Sequence, residues 1–537
     1  MRISNVPAIF FVSFLVSGIL YFPTAEAKLV FDFVDFIRSY HETGWNIYDS
    51  ATHHLSPYWV SKVAVTSLYL LFGFAAQPWH WVSCFLLAAN VSLFFAWLRN
   101  LLLFVGSKQA HTIAAYAALL FILVPYHTET LVWAGAFNYL IVGLFVWSGL
   151  YSTERFLTTS NRWWAVVAFF SFLLGSFSHE WGLFGIAAAF LLWLLMQPAS
   201  ELRSKKTGFF LLSAVSVVAL YLLNQCLSGR LIAHYGAEVH LHFQWRDMVA
   251  MFYKYGCKIV LLSGFWPVSV QEKVFAYFLV PAVNKALLGL LLLLLAVSCY
   301  QLLFKKNTAS IGWFLFLLYA LFVFPVLNLY FPNWTKIMAD RYCFLPAAFL
   351  LSALVVFLFS VNGLKWLLWP YAALMFFLLQ TDIASWQRAG SLLTSLEKDF
   401  RWNQNERIFF LNMPDNFNGA YMLRSTFTSG VAARAIKNGH YYPRQNNMTD
   451  VASYNLFNPE DSVLVQVLDS NRLRVQLSNP AAWWWKNGAG CESYRTEQVK
   501  LDLDIYTQSY TATFLHKNPQ DVFLYQANGH WVEVPGF

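Results

Sequence analysis

Ionisable side chains stand in four short groups along this sequence, each beside a long apolar run. A charge near lipid hydrocarbon is costly to keep, so such residues mark functional sites by default. Carboxylates can act as general bases or hold a divalent cation, and arginine and lysine can hold a phosphate. The four groups are Asp32 with Asp35, His127 with Glu129, His179 with Glu180, and Lys336 with Asp340 and Arg341.

Each group also has a plainer structural interpretation. Asp32 and Asp35 could be solvated loop acids, although the apolar residues around Asp32 favour a chemical role. The two glutamates could cap or pair helices. The histidines beside them could be ordinary interfacial residues, since a pair of ligands lacks the third that a metal needs. Asp340 and Arg341 could form a local ion pair, but the arginine fork also suits a phosphate.

The elements that must position these groups are membrane-spanning helices. Of the 537 residues, 58% are hydrophobic and 12% are charged, whereas a soluble domain is usually about a quarter charged. One globular core cannot bury so much apolar surface, so a bilayer must cover the rest. We therefore predict a polytopic α-helical membrane protein.

Hydropathy predicts about eleven transmembrane helices. The lysines and arginines of the short loops fall on the same side as Arg2, which makes that side cytoplasmic. All four ionisable groups then share the opposite face, which predicts a common cavity there. The predicted spans are residues 7–22, 80–104, 110–125, 131–151, 162–177, 181–197, 207–226, 274–303, 311–331, 343–361 and 364–382.

The N-terminal segment has two interpretations. Its apolar stretch followed by Ala25-Glu26-Ala27 imitates a secretory signal with a cleavage site. The other interpretation is a retained first span, which we favour because an acidic residue of the site, Asp32, follows directly on it.

Two further segments are apolar without being predicted spans. The long external loop 23–79 contains residues 57–74, which we interpret as a helix lying on the membrane surface. Residues 247–270 carry Lys254 and Lys258, which favour an interfacial or re-entrant helix.

Residues 1–382 thus form the predicted membrane domain, and the composition changes after them. Turns and alternating patterns replace the apolar runs, which predicts a soluble mixed α/β domain over residues 383–537. A buried strand is expected at residues 407–412, a helix at 421–437 and a hairpin at Asn528-Gly529.

Several classes of protein are excluded by composition and motif. No soluble element carries a basic stripe, so nucleic acid is not an expected partner, and the net charge of +8 follows from the cytoplasmic loops. The sequence contains no Walker loop, GxGxxG, HExxH, GxSxG or CxxC motif, so neither a nucleotide-driven motor nor a common hydrolase is indicated.

The order of these motifs resembles the GT-C glycosyltransferase superfamily, in particular bacterial relatives of the transmembrane O-mannosyltransferases. The likeness covers about the first 390 residues, by motif order and not by dense identity. The matching positions are Asp32, Leu71-Phe72-Gly73, Trp79-His80-Trp81, Pro125, His127, Thr128, Glu129, Glu180 after His179, and then Asp340, Arg341, Tyr342, Leu345 and Pro346.

The resemblance implies an enzyme that moves a sugar from a polyprenyl-phosphate donor to an acceptor hydroxyl, with inversion. Asp32 would be the general base, and Mg²⁺ or Mn²⁺ is a candidate cofactor. The implied site has Asp32, Asp35, Glu129 and Glu180 as catalytic candidates, Arg341, Lys336, His127 and His179 at the donor phosphate, and Asp340, Tyr342, His53 and His54 at the acceptor or cavity wall.

The expected partners are the lipid-linked sugar, membrane lipid and a glycan, lipid or protein acceptor. Two other functional classes stay open: a polytopic transporter or lipid flippase, and a ligase or polymer-assembly protein of similar architecture. We expect a bacterial inner membrane, with the N-terminus cytoplasmic and the C-terminal domain periplasmic. An endoplasmic reticulum membrane with a lumenal tail has the same topology.

Overall fold

The computed structural model describes residues 6–27, 33, 37, 40–41, 44–45, 56, 58–197, 205–227, 240–241, 244–327, 329–330, 339–361, 363–400, 407–423, 448–486 and 489–537. This part of the chain is mainly helical as far as Asp399 and forms strands from Arg407 onward. The α-helices are α1 Val6–Tyr21, α2 Trp59–Phe72, α3 Ala76–Phe104, α4 Ala110–Leu123, α5 His127–Val132, α6 Phe137–Thr159, α7 Arg162–Ser176, α8 Trp181–Met196, α9 Lys205–Leu227, α10 Trp245–Leu261, α11 Val268–Phe278, α12 Pro281–Phe304, α13 Thr308–Leu327, α14 Phe344–Ser360 and α15 Leu368–Asp399. Short 3-10 helices cover Phe22–Ala27, Ala134–Ala136, Ser263–Phe265, Asp340–Cys343 and Leu364–Leu367.

Eight helical segments of the described chain are long and apolar enough to cross a membrane, which indicates a multi-pass membrane protein. The predicted class is confirmed at that level. Three shorter apolar helices, α4, α7 and α8, coincide with predicted spans, so the number eleven stays a prediction. The eight segments are Val6–Ala25, Ala76–Phe104, Ala134–Thr159, Phe210–Leu227, Pro281–Phe304, Thr308–Leu327, Asp340–Ser360 and Leu364–Asp399.

Three predicted spans differ clearly from the structure. The span expected at 131–151 corresponds to α6, Phe137–Thr159. The span expected at 274–303 begins only at Pro281, since proline takes the first turn of α12 and ends the helical run before it. The span expected to end at residue 382 continues to Asp399 as α15. The predicted domain boundary between residues 382 and 383 therefore falls inside a helix.

The N-terminal segment packs against the rest of the bundle. The imidazole Nε2 of His80 in α3 lies 3.1 Å from the carbonyl oxygen of Gly18 in α1. A Cβ added to Gly390 of α15 would lie 3.1 Å from the Cβ of Ala27, so glycine allows this close approach. These contacts favour the retained first span.

Close helix packing fixes the loop that carries His179 and Glu180. A Cβ added to Gly182 of α8 would lie 2.1 Å from the backbone of Gly175 in α7, so only glycine fits where these two helices meet. The same loop holds helix α2, because the Ser61 hydroxyl donates to the carbonyl oxygen of Ser178 at 3.1 Å.

Strands dominate the described part of the C-terminal region. The predicted strand 407–412 forms over Arg407–Phe410, and the predicted hairpin at Asn528-Gly529 forms with both residues at positive φ. The helix expected at 421–437 is not seen at its start, because Tyr421 belongs to a strand; residues 424–447 lie outside the described ranges.

The strands form one small sheet beside the helices and three mixed or antiparallel sheets in the C-terminal region. The strands are β1 His240–Leu241, β2 Leu329–Tyr330, β3 Arg407–Phe410, β4 Met413–Phe417, β5 Ala420–Tyr421, β6 Met448–Asp450, β7 Ser453–Leu456, β8 Val463–Asp469, β9 Arg472–Leu477, β10 Trp484–Lys486, β11 Ala489–Gly490, β12 Tyr494–Arg495, β13 Val499–Asp504, β14 Ser509–Phe514, β15 Asp521–Ala527 and β16 His530–Glu533. β1 pairs with β2 in the small sheet. The larger sheets have the orders β11-β10-β7-β4-β5, β12-β13-β14-β9-β8 and β16-β15-β3-β6.

The C-terminal sheets dock on the end of α15. The backbone N–H of Trp531 donates to Asp399 Oδ2 at 2.7 Å, and its indole N–H donates to the carbonyl oxygen of Leu396 at 3.2 Å. The turn before β16 also contacts the helix, with Gly529 close to Leu392. This helix thus joins the membrane part directly to the strands.

Candidate functional site

A buried ion pair between Glu129 and Arg341 forms the centre of the site. Glu129 lies on the six-residue helix α5, and Arg341 lies in the 3-10 turn that leads into α14. The backbone N–H of Arg341 donates to Glu129 Oε2 at 3.0 Å, and its Nη1 donates to Oε1. The guanidinium also lies 5.2 Å from the ring of Trp133 and 5.0 Å from that of Tyr342.

The surroundings keep Glu129 charged. Burial would raise the pKa of this carboxyl, but the charge of Arg341 and the hydrogen bonds from Arg341 and Tyr421 outweigh it and lower the pKa. Such a carboxylate is a weak general base. Its geometry instead suits the positioning of Arg341.

A second ion pair lies next to the first. Lys258 Nζ of α10 lies 2.5 Å from Asp340 Oδ1, and it also lies 4.9 Å from the ring of Tyr126. Burial would lower the pKa of Lys258, but the carboxylate of Asp340 outweighs it and raises the pKa, so the lysine stays charged. From the sequence, Lys258 is predicted to lie on an interfacial or re-entrant helix, and no role at the site is predicted for it.

A third carboxylate, Asp382, approaches the same cluster from α15. It is half-buried and interacts with the charges of Asp340, Glu129 and Lys258 and with the hydroxyl of Thr128. In the prediction from the sequence, this residue is only the end of the last span.

The pair His179 and Glu180 lies beside this cluster and is joined to it by aromatic rings. The hydroxyl of Tyr58 donates to Glu180 Oε1, which ties the N-terminus of α2 to the loop between α7 and α8. The ring of Tyr139 lies 4.8 Å from His179 on one side and 6.1 Å from Tyr342 on the other.

Burial keeps the two histidines of the predicted site, His127 and His179, in their neutral form at neutral pH. Burial lowers the pKa of His127 to about 3, between the rings of Phe121 and Phe344. Burial also lowers the pKa of His179, although Glu180 opposes the shift, and His179 Nδ1 accepts a hydrogen bond from the backbone N–H of Trp181 at 3.3 Å. The predicted contact of these residues with a phosphate would therefore be a neutral hydrogen bond.

Tyr421 of the C-terminal region completes the ion pair at the centre. Its hydroxyl donates to Glu129 Oε1 at 3.1 Å and accepts from Arg341 Nη1 at 3.4 Å. Its ring lies edge-on to Trp133 at 5.1 Å and to Trp386 of α15 at 5.8 Å. No sequence signal distinguishes this tyrosine from the other strand tyrosines, because its partners are distant in the chain.

The structure thus brings five of the predicted residues into one connected cluster: Glu129, His179, Glu180, Asp340 and Arg341, with Tyr342 in ring contact. His127 lies on the same short helix as Glu129, but its ring packs apart from the cluster, between Phe121 and Phe344. The chemical roles of all these residues stay predictions. Asp32, Asp35, His53, His54 and Lys336 lie outside the described residues.

The predicted divalent cation finds no ready site in this cluster. Within the described ranges, no three histidine, cysteine, aspartate or glutamate residues are grouped to hold a metal. The oxygens of Glu129 bond to Arg341, and Glu180 Oε1 accepts from Tyr58. No step of the proposed reaction is assigned to a metal.

A small apolar pocket lies elsewhere, between α6, α7, α8 and α9. None of the described site residues lines it. Its lining residues are Thr153, Phe156, Ala165, Ala168, Phe169, Phe172, Ile186, Phe210, Ser213, Ala214 and Val217.

Comparison with known proteins adds no relative. No family model matches the chain, and no curated protein matches it. The resemblance to the GT-C superfamily therefore rests on the order of motifs along the sequence.

Proposed function

We propose that this protein is an integral membrane glycosyltransferase. It would move a sugar from a polyprenyl-phosphate donor to an acceptor hydroxyl on a glycan, lipid or protein, with inversion at the anomeric carbon. The observation that carries this proposal is the cluster itself. In it two buried cations, Arg341 and Lys258, pair with the carboxylates of Glu129 and Asp340, and all of these except Lys258 lie at motif positions of the GT-C resemblance.

Arg341 is the proposed contact for the departing phosphate. Its side chain is 15% exposed, and its hydrogen bonds to described residues run from Nη1. That geometry leaves Nε and Nη2 for a phosphate, which arginine binds through two parallel N–H donors. Lys258 supplies a second positive charge close to the first, through Asp340.

Asp32 remains the proposed general base, with Asp35 as the alternative. The lowered pKa of Glu129 makes it a poorer proton acceptor, which supports a base elsewhere. In the reaction the base takes the proton of the acceptor hydroxyl while the hydroxyl oxygen bonds to the anomeric carbon. The bond from that carbon to the phosphate oxygen breaks, and the lipid phosphate leaves with the electron pair, stabilised by Arg341.

The location follows from the loop charges. Lysine and arginine bias assigns the cluster and the C-terminal region to the extracytoplasmic side. We propose a bacterial inner membrane, with the C-terminal region in the periplasm.

Substitution of the proposed base tests this function. We expect Asp32→Asn to lower sugar transfer from a polyprenyl-phosphate sugar by at least about 100-fold, the lower range for a missing base. If Asp35 is the base instead, Asp35→Asn should cause the same loss. Asp502→Asn is the matched control, because Asp502 is an exposed acid of the C-terminal sheets paired with Lys500.

Two results would overturn the assignment. Full transfer by both Asp32→Asn and Asp35→Asn would remove the first-loop base from the mechanism. Movement of a labelled lipid or solute across vesicles, with no transfer by wild type, would favour the transporter or flippase class.

A further inference from the structure

A tight hairpin of the C-terminal sheets positions the side chain of Tyr421 against the ion pair of Glu129 and Arg341. β4 and β5 pair antiparallel around Asn418 and Gly419, which have φ of 48° and 88°. Positive φ at both positions is what a type I′ turn requires, and Asn-Gly is its favoured sequence. The pairing continues beyond Tyr421, since Met422 N donates to the carbonyl oxygen of Asp415 at 3.0 Å. The position of Tyr421 is thus set by the strand ladder.

Two tryptophans of the membrane part contact this side chain. Trp133 follows α5, and Trp386 lies one helical turn after Asp382 on α15. The tyrosine ring packs between these two indoles and is 8% exposed. Its hydroxyl reaches both charges of the ion pair, Glu129 and Arg341.

We propose that Tyr421 is a positioning residue through which the C-terminal region completes the donor-phosphate site. By donating to Glu129, the hydroxyl holds this carboxylate in its charged form and in the orientation that fixes Arg341. The catalytic consequence rests on the proposed function, whereas the effect on Glu129 does not. The C-terminal region is then part of the site and not an independent accessory.

The charged state of Glu129 is the property to measure. A carboxylate with a lowered pKa stabilises the fold above its unfolded pKa, and this contribution is lost as the pH falls. Loss of one donor raises the folded pKa, so this contribution is smaller at neutral pH and its loss is complete at a higher pH. The titratable and charged groups that act on Glu129 or Arg341 are Tyr139, Tyr255, Tyr342, Tyr421, His179, Cys343, Asp340, Lys258 and Asp382.

Tyr421→Phe is the sharpest variant, because it keeps the ring between the two indoles and removes only the hydroxyl. We expect the acid limb of thermal stability, the pH range over which the full-length protein in detergent loses stability as the pH falls, to end about one pH unit higher. Tyr510→Phe is the matched control: it removes a buried hydroxyl in the same sheets, which donates to the carbonyl oxygen of Leu411. It should lower stability without moving the acid limb.

The background Glu129→Gln separates this effect from general loosening. With no titrating carboxyl at position 129, adding Tyr421→Phe should move the acid limb no further. A folded Tyr421→Phe protein whose acid limb stays in place would overturn the proposal. So would an equal shift in the Glu129→Gln background.

Sugar transfer from a polyprenyl-phosphate sugar gives the second reading. We expect Tyr421→Phe to lower kcat by about tenfold, with a smaller change in KM for the acceptor, because Arg341 acts at the departing phosphate. Unchanged kcat and KM in an active enzyme would contradict the positioning role. If wild type transfers no sugar from any donor, the proposed function fails, and the acid limb still decides whether Tyr421 holds Glu129.

Discussion

At the scale of single residues, the Glu129–Arg341 pair should behave as a buried ion pair whose halves depend on each other. Removing one partner leaves an uncompensated buried charge, which costs about 3–5 kcal/mol, whereas replacing both by apolar groups is often nearly neutral. We expect Glu129→Leu and Arg341→Met each to lower the free energy of unfolding by that amount. The double variant should lose much less than the sum.

Denaturant unfolding of the four proteins in detergent provides the double-mutant cycle for this prediction. Arg472→Met with Asp469→Leu is the control cycle, because that pair is exposed on a hairpin of the C-terminal sheets. Exposed pairs contribute little. Additive losses at positions 129 and 341 would show that the two charges are not coupled.

His127 should make the protein less stable in acid. Its pKa is held at about 3 in the folded chain, below the unfolded value of 6.5. The unfolded chain therefore binds the extra proton first as the pH falls below that value, and stability drops by up to about 1.4 kcal/mol per pH unit. We expect His127→Leu to flatten the stability profile below pH 6.5. An unchanged slope would contradict the burial of a neutral ring between Phe121 and Phe344.

Which residues of the site the sequence could predict depends on how local their signals are. Glu129, His179, Glu180 and Arg341 flank apolar helices, where the cost of a charge near lipid makes each of them visible. The sequence did not predict that Lys258, Asp382 and Tyr421 belong to the site, because their partners are distant in sequence. Their roles arise only when α10, α15 and β5 meet.

At the scale of elements, apolar length predicts that a helix is present but misses where the helix ends. After residue 382, α15 loses its apolar density but keeps buried residues at helical spacing. Composition therefore indicated a boundary, whereas the 3.6-residue period continued. The buried positions are Ile383, Trp386, Ala389, Gly390, Leu393 and Leu396.

Docking of Trp531 should protect the end of α15. We expect Trp531→Ala to raise hydrogen exchange of the amides from Leu392 to Asp399 by about tenfold, since it removes the indole hydrogen bond to Leu396 and the ring's packing. Exchange read by mass spectrometry measures this. Trp483→Ala, a half-exposed tryptophan that packs on Phe457 and Trp485, is the matched control. Equal protection in both variants would mean that the sheets do not hold the helix.

At the scale of the whole molecule, the orientation of the chain can be tested directly. In a variant without its six cysteines, a single cysteine at Ser470 should react with a membrane-impermeant maleimide in intact spheroplasts. A cysteine at Thr159, at the exposed end of α6, should react only after lysis. The reverse pattern would place the site on the cytoplasmic face and would contradict the use of an extracytoplasmic lipid-linked donor.

Formation of a glycosidic bond is the most direct test of the central claim. Purified wild-type protein would be given polyprenyl-phosphate sugars of several head groups with an acceptor-rich membrane extract, and the product would be followed by mass spectrometry and its anomeric configuration by NMR. We predict transfer from at least one donor, with the anomeric configuration inverted and polyprenyl phosphate released. Transfer from no donor would contradict the glycosyltransferase assignment, and transfer with retained configuration would contradict the single-displacement mechanism.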